Sequence, residues 1–201
     1  MASTFEPVAL GVLHSLSNRM CALESLTALP ADARTVQFGK STDTHIQVEV
    51  SQAIDLQRIL RGLFPGTTSP EALDLRDVAT EAAQLAEHHP VVRRSRSSIR
   101  VTGDSAATRA PRWMLRRVMV TMLSLCAKPG AVTLAIVAGD AEHEVCVRSG
   151  TGPDDAPATG GIGYAEALAR ACGGRLDREP NGYRFCMPSL AELRRRERPS
   201  G

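Results

Sequence analysis

The stretch PVALGVLHSLSNRMCALESLTALP, residues 7–30, has the pattern of one amphipathic helix. Its apolar residues recur at spacings of three, four and three, the period of a helix face packed in a bundle: Leu13, Leu16, Met20 and Leu23. Pro7 suits the first turn of a helix, and Pro30 ends one. The segment therefore predicts a helix over 7–29, with His14 in its first half.

A second helix is predicted from about Thr44 to Phe64, after a polar connection over 31–43 with a turn at Gly39. Its inward-facing apolar positions follow the same period: Ile46, Val50 and Ile54, continued by Leu56, Ile59, Leu60 and Leu63. The helix stops at a linker rich in helix-breaking residues: Pro65, Gly66 and Pro70.

The two helices predict a hairpin that cannot bury both of its apolar faces by itself. Pairing with a second copy into a four-helix bundle would bury them. The alternative is that the hairpin folds back on the rest of its own chain. We favour the homodimer.

The rest of the chain alternates between helical and strand patterns. Helices are predicted over 74–88, 111–127 and 161–172, with Asp74 either as a helical residue or as the N-cap of the first one. Gly173 and Gly174 close the third. Strands are predicted over 98–102, 132–137, 144–147, 175–179 and 183–187. The second is predicted to pair with the third, and the fourth with the fifth.

These elements predict an α+β protein, in which a helical hairpin precedes an α/β sandwich with mostly antiparallel strands. We accordingly assign a hairpin domain to residues 1–66 and a sandwich domain to 67–190. The charged tail over 191–201 is predicted to be a short helix followed by disorder.

The composition excludes several classes of function. A net charge of +2 gives no general electrostatic reason to expect a nucleic-acid or membrane partner. The five cysteines form no C-x-x-C pair, which predicts buried, reduced thiols and no metal site. The sequence has no signal peptide, and its longest apolar stretch, 118–127, is too short to span a bilayer. We expect a cytoplasmic protein.

His14 is the first candidate for chemistry. The neutral ring nitrogen of an exposed histidine on a rigid helix is a usable phosphoryl acceptor. Asn18 follows four residues later, so its amide lies on the same side of the helix and can orient a water or an incoming phosphoryl group. A lone helical histidine is also commonly structural or merely exposed. The remaining histidines, His45, His88, His89 and His143, are expected to be solvated.

The order of these features resembles the two catalytic parts of sensor histidine kinases: a dimerisation and histidine phosphotransfer domain, then a GHKL-type (Bergerat) ATP-binding domain. The resemblance covers about 9–190. It is carried by the H-x-x-x-N segment, Leu-Asp-Leu at 73–75, the apolar helix at 115–127, Gly150-x-Gly152, Gly161-Ile-Gly163, Gly173-Gly174 and the closing strand at 183–188.

The chain departs from such kinases where they hold ATP. The family asparagine that helps to hold Mg²⁺ aligns with Leu125, and another asparagine of the family aligns with Thr121. Leucine cannot supply the oxygen ligand that a hard cation requires. The aspartate that accepts the adenine amino group aligns with Arg148, which cannot accept a hydrogen bond. The lid is reduced to 153–159. The resemblance therefore implies a degenerate nucleotide site with no bound cofactor.

The four glycines Gly150, Gly152, Gly161 and Gly163 remain, and they are open to two interpretations. Such turns can cradle phosphates. They can equally serve tight strand-to-helix geometry, which requires glycine without any ligand; we favour this structural role.

The acidic residue that usually follows the histidine in autophosphorylating kinases is Ser15 here. The pattern is thus similar to the dimeric histidine phosphotransferases of bacterial phosphorelays. The resemblance implies that His14 exchanges phosphoryl groups with the receiver domains of response regulators and that the chain binds no ATP. The alternatives are a pseudokinase that only sequesters a response regulator, a response-regulator phosphatase using Asn18, and, last, an ordinary ATP-dependent kinase.

Overall fold

Two long helices begin the chain in the computed structural model, which describes residues 5–28, 42–64, 68–150 and 161–197. Helix α1 spans Phe5–Thr27 and helix α2 spans Thr42–Leu63, as the apolar periods predict. Asp43 lies in the first turn of α2 and Arg61 in its last turn, where each charge complements the helix dipole. The predicted turn at Gly39 lies outside the described residues.

The chain divides into two compact units. The hairpin unit is Ala9–Phe64, and the sandwich unit is Met1–Val8 together with Pro65–Gly201. Among the described helices, none is long and apolar enough to cross a membrane.

The sandwich unit contains seven strands and five helices in its described part. In chain order they are β1 (Glu71–Asp74), α3 (Leu75–Glu87), α4 (Pro90–Ser95), β2 (Ser97–Gly103), β3 (Ala107–Ala110), α5 (Arg112–Cys126), β4 (Gly130–Val137), β5 (Glu142–Ser149), α6 (Gly161–Ala171), β6 (Arg175–Glu179), β7 (Gly182–Pro188) and α7 (Leu190–Glu197).

The strands form two sheets. The larger has the order β2-β4-β5-β7-β6, in which only β2 and β4 are parallel, and β1 and β3 form a two-stranded antiparallel sheet. The register places Leu134 opposite Val147 and Val145 opposite Phe185, so the buried side chains of neighbouring strands lie on the same face. Helices α3, α5 and α6 form the second layer. This arrangement is the predicted α+β sandwich.

The core lies between that face of the sheet and the helices. Its largest fully buried side chains include Leu75 and Val78 of α3, Leu115 and Met119 of α5, and Phe185 of β7. Helix α3 begins where the carboxylate of Asp74 accepts the Arg76 N–H at 2.8 Å, so Asp74 is its N-cap. Helix α6 ends at Ala171 and is followed by Gly173, whose φ of +77° is the left-handed conformation that glycine adopts without strain.

Three short elements, β1, β3 and α4, were not predicted. Each has four to six residues, too few to show a period. The sequence also gave no sign that β2 and β4 are parallel, because this pairing depends on the crossover through β3 and α5.

Two predictions about individual side chains were wrong. His89 and His143, expected to be solvated, are each 6% exposed, because they bond to backbone groups inside the fold. Cys21 is exposed, whereas the other four thiols are buried as predicted. Burial raises the pKa of Cys126 and of Cys172 to about 12, which makes these thiols unreactive.

Candidate functional site

His14 lies on the exposed side of α1. The Nδ2 atom of Asn18 is 3.4 Å from its Nε2 atom, so the two side chains are neighbours across one helical turn, as their spacing predicts. When the ring carries its proton on Nδ1, the Asn18 amide donates to Nε2. The Nε2 lone pair then points to the Asn18 N–H, and this exposed hydrogen bond has to open before Nε2 can act as a nucleophile.

The apolar side of the hairpin faces away from His14. At about 100° per residue, Asn18 is rotated about 40° from His14, whereas Leu16, Met20 and Leu23 are rotated by about 180° to 240°. These three residues line a groove of about 340 Å³, together with Val50, Ala53, Ile54 and Gln57 of α2. Met20 is 57% exposed and Ile54 is 45% exposed. The groove is therefore open, and a partner seated in it would leave His14 accessible.

In the sandwich unit, the predicted nucleotide-site residues of α5 contact the start of α6. A Cβ atom at Gly161 would lie 3.6 Å from Cγ2 of Thr121 and 4.0 Å from Cδ2 of Leu125. The Thr121 hydroxyl donates to the Arg117 carbonyl at 2.8 Å within its own helix. Leu125 and Gly161 are half-buried. The start of α6 thus lies close to Thr121 and Leu125 of α5.

The same helix face continues into a polar cluster that was not predicted. The Arg117 guanidinium donates to the Tyr164 hydroxyl at 2.7 Å and lies 5.1 Å from the centre of the Trp113 ring. Trp113, Arg117 and Thr121 recur every four residues, so they lie on one side of α5. That spacing is visible in the sequence and could have identified the cluster.

Arg148 lies apart from Thr121, Leu125 and Gly161. Its side chain is exposed and pairs with Glu179 of β6 at 3.2 Å. Because successive strand residues alternate between faces, the buried Val147 and Ser149 point toward the helices and Arg148 points away from them. The alternation of the apolar Val145 and Val147 in the sequence already predicts that Arg148 lies on the opposite face of the strand.

The glycines are not held by tight geometry. Gly150, Gly161 and Gly163 all lack a positive φ, and a Cβ atom at Gly150 or Gly163 would have no atom of a described residue within 4 Å. Contacts with the described residues therefore do not account for glycine at these three positions, and the structural role that we favoured stays a prediction. Gly152 and the shortened lid at 153–159 lie outside the described residues. In the described part of the chain, no three acidic, histidine or cysteine residues form a metal-binding group.

No family model matches this sequence, and no curated protein matches it. Solved structures of sensor histidine kinases are similar to it. The mycobacterial sensor histidine kinase MprB is 18% identical, with a TM-score of 0.48, over 59% of this chain and 97% of that chain. AdeS of Acinetobacter baumannii is 12% identical, with a TM-score of 0.48, over 89% and 94%. The histidine kinase ThkA, in complex with the response regulator protein TrrA, is 13% identical, with a TM-score of 0.47, over 90% and 60%. At these identities the similarity is one of architecture.

Proposed function

We propose that this chain is a phosphorelay protein that accepts a phosphoryl group on His14 and donates it to the receiver domains of response regulators, without binding ATP. The observation that carries the proposal is the exposed His14, with the Asn18 amide 3.4 Å from its Nε2 atom, on the side of the hairpin opposite the open groove.

The proposed transfer needs little from the histidine protein beyond position. The Asn18 N–H first releases the Nε2 lone pair, which attacks the phosphorus of an aspartyl phosphate. The bond from phosphorus to the aspartate oxygen breaks, and the carboxylate leaves with its electron pair. The ring proton stays on Nδ1 during the step. The receiver's own Mg²⁺ and acidic pocket stabilise the charge, while α1 holds the nucleophile and the Asn18 amide in place.

The absence of ATP chemistry is part of the proposal. It is supported by Leu125, which offers no oxygen to a metal, and by Thr121, whose side chain is fully buried. Arg148 also supports it, because arginine cannot accept the adenine amino group and its side chain is paired with Glu179. The sandwich unit would then serve as a docking surface for the receiver, in the cytoplasm.

We further propose that the hairpin forms a homodimer. The support is the open groove around Met20 and Ile54, whose burial in a four-helix bundle would remove exposed apolar side chains from water.

A second candidate is a response-regulator phosphatase. The position of Asn18 favours it specifically, because its exposed amide could orient a water as well as a phosphoryl group. In that case His14 would be secondary.

Incubation with a phosphorylated receiver separates these functions. We expect acid-labile label on the wild-type chain and none on His14→Ala, with His45→Ala of the same hairpin as the matched control that keeps its label. An unlabelled wild type, or equal label on His14→Ala, would contradict phosphotransfer. Loss of receiver phosphate that survives His14→Ala but not Asn18→Ala would instead establish the phosphatase. Stable binding of the receiver without either reaction would indicate a sequestering pseudokinase.

A further inference from the structure

An ion pair joins α1 to α2 close to the proposed phosphotransfer residues. The Nη1 atom of Arg19 lies 3.0 Å from each carboxylate oxygen of Glu49. The Glu49 side chain is only 18% exposed and that of Arg19 is 42% exposed, so the pair is partly withdrawn from water. A charge in such a place is costly when its partner moves away.

The pair lies at the border between the two faces of α1. Arg19 is rotated by about 140° from His14, between the Asn18 side and the apolar groove. The groove residues distinguish only weakly between positions of the helices along each other, because apolar contact is non-directional and similar side chains recur every turn. A slide of α1 by one turn would keep apolar contact and would move His14 by about 5.4 Å along the axis.

We propose that Arg19 and Glu49 are positioning residues, which hold α1 and α2 in one register and thereby set the place of His14 and Asn18 for phosphoryl transfer. A partly buried charge pair selects one register, because every other register leaves both charges without their partner. The inference rests on the proposed phosphotransfer function; the register itself can be measured without it.

The register is tested by distance measurement on the full chain. Cys21 on α1 is an exposed native thiol, and Ser51 on α2 is also exposed, so spin labels on Cys21 and on Ser51→Cys report the position of one helix along the other. The labelled chain is diluted with unlabelled protein, so that labels on different chains rarely meet. We expect one narrow distance in the parent and a broadened or second distance in Glu49→Gln. An unchanged distribution in Glu49→Gln would overturn the inference.

The consequence for transfer is tested with the same phosphorylated receiver. We expect Arg19→Met and Glu49→Gln each to slow the labelling of His14 by about tenfold or more, the scale on which misplaced reacting groups lose rate. The charge swap Arg19→Glu with Glu49→Arg should restore both the narrow distance and most of the rate. His45→Ala, in the same hairpin but outside the Arg19–Glu49 pair, is the control and should transfer normally.

The two proposals fail differently. If the wild type takes no label, the phosphotransfer function is wrong, and the spin-label distances still decide whether the pair sets the register. If the wild type takes label but the single substitutions transfer at the wild-type rate, the positioning role is wrong and the function stands.

Discussion

At the residue scale, Asp74 connects three pieces of the sandwich unit. Its Oδ1 atom accepts the N–H of Arg76 at the start of α3 and that of Ala106 at 3.2 Å, and its Oδ2 atom accepts the Ser105 hydroxyl. Burial alone would raise the pKa of this carboxyl, but the hydrogen bonds from Ser105, Arg76 and Ala106 outweigh it, so the pKa is lowered.

A lowered pKa means that the charged form of Asp74 stabilises the fold. Asp74→Asn keeps an N-cap but removes the charge, so we expect it to be less stable than the wild type at neutral pH. The difference in free energy of unfolding between the two proteins should be largest above the ordinary carboxyl pKa of 3.8. It should shrink as the pH falls below 3.8 and through the lower pKa of the folded state. Urea unfolding at several pH values measures this. A difference that stays constant from pH 7 to pH 3 would contradict it.

At the scale of elements, His143 of β5 ties the β4–β5 turn to the small sheet. Its Nδ1 atom accepts the Gly139 N–H at 3.2 Å, and its Nε2 atom donates to the Ala107 carbonyl of β3 at 2.9 Å, which corresponds to a neutral ring with the proton on Nε2. The ring is thus a structural bridge between two sheets that share no backbone pairing in the described part of the chain.

His143→Leu should destabilise the protein by about 2–3 kcal/mol, because it leaves two backbone groups at a buried position without partners. His88→Leu, at a half-buried histidine of the same unit that has no such pair of backbone bonds among the described residues, is the control and should change the free energy of unfolding by less than about 0.5 kcal/mol. Chemical denaturation of the two variants gives the comparison. Equal stabilities would show that the two bonds contribute nothing.

The neighbouring strands β5, β7 and β6 show how one glycine permits a cross-strand ion pair. Gly182 of β7 lies opposite both Arg148 and Glu179, and a Cβ atom there would be 1.8 Å from the Val147 carbonyl oxygen. Arg148 therefore reaches Glu179 across a strand position that has no side chain.

Arg148→Asp would place the family's adenine acceptor in the sequence, but on the face of the sheet that turns away from α5 and α6. We expect no ATP-dependent rise in melting temperature, since a ligand must bind the folded state to stabilise it. The variant should also lose up to about 1 kcal/mol, because an exposed ion pair becomes a repulsion with Glu179. Arg148→Gln controls for the lost pair. A rise in the melting temperature of Arg148→Asp on adding ATP would contradict the orientation of this side chain away from α5 and α6.

At the scale of the whole molecule, the hairpin groove predicts association. Met20→Glu or Ile54→Glu should convert the proposed dimer to a monomer, because either substitution puts a charge among apolar side chains. Val48→Glu is the matched control: Val48 is 43% exposed but is rotated by about 160° from the groove residue Val50. Sedimentation equilibrium distinguishes the masses. A wild type that sediments as a monomer would contradict the dimer.

Periodicity in the sequence was sufficient to predict the long elements. Helices α1, α2, α3, α5 and α6 and the strands of the large sheet follow from apolar spacing and from proline and glycine stops, because these signals are local. The proximity of His14 and Asn18 was predicted for the same reason, since a helix brings residues four apart together. Sequence order was also enough to place a sandwich after a hairpin.

Only the tertiary structure decided the features that depend on contacts between distant segments. It paired β1 with β3, made β2 and β4 parallel, buried His143 against β3, and brought Gly161 to Thr121 and Leu125. His14 itself lies in a segment that the sequence predicts well, but the exposure of its ring and the pairing of Arg19 with Glu49 depend on how two helices pack, and a single sequence carries no direct record of that packing.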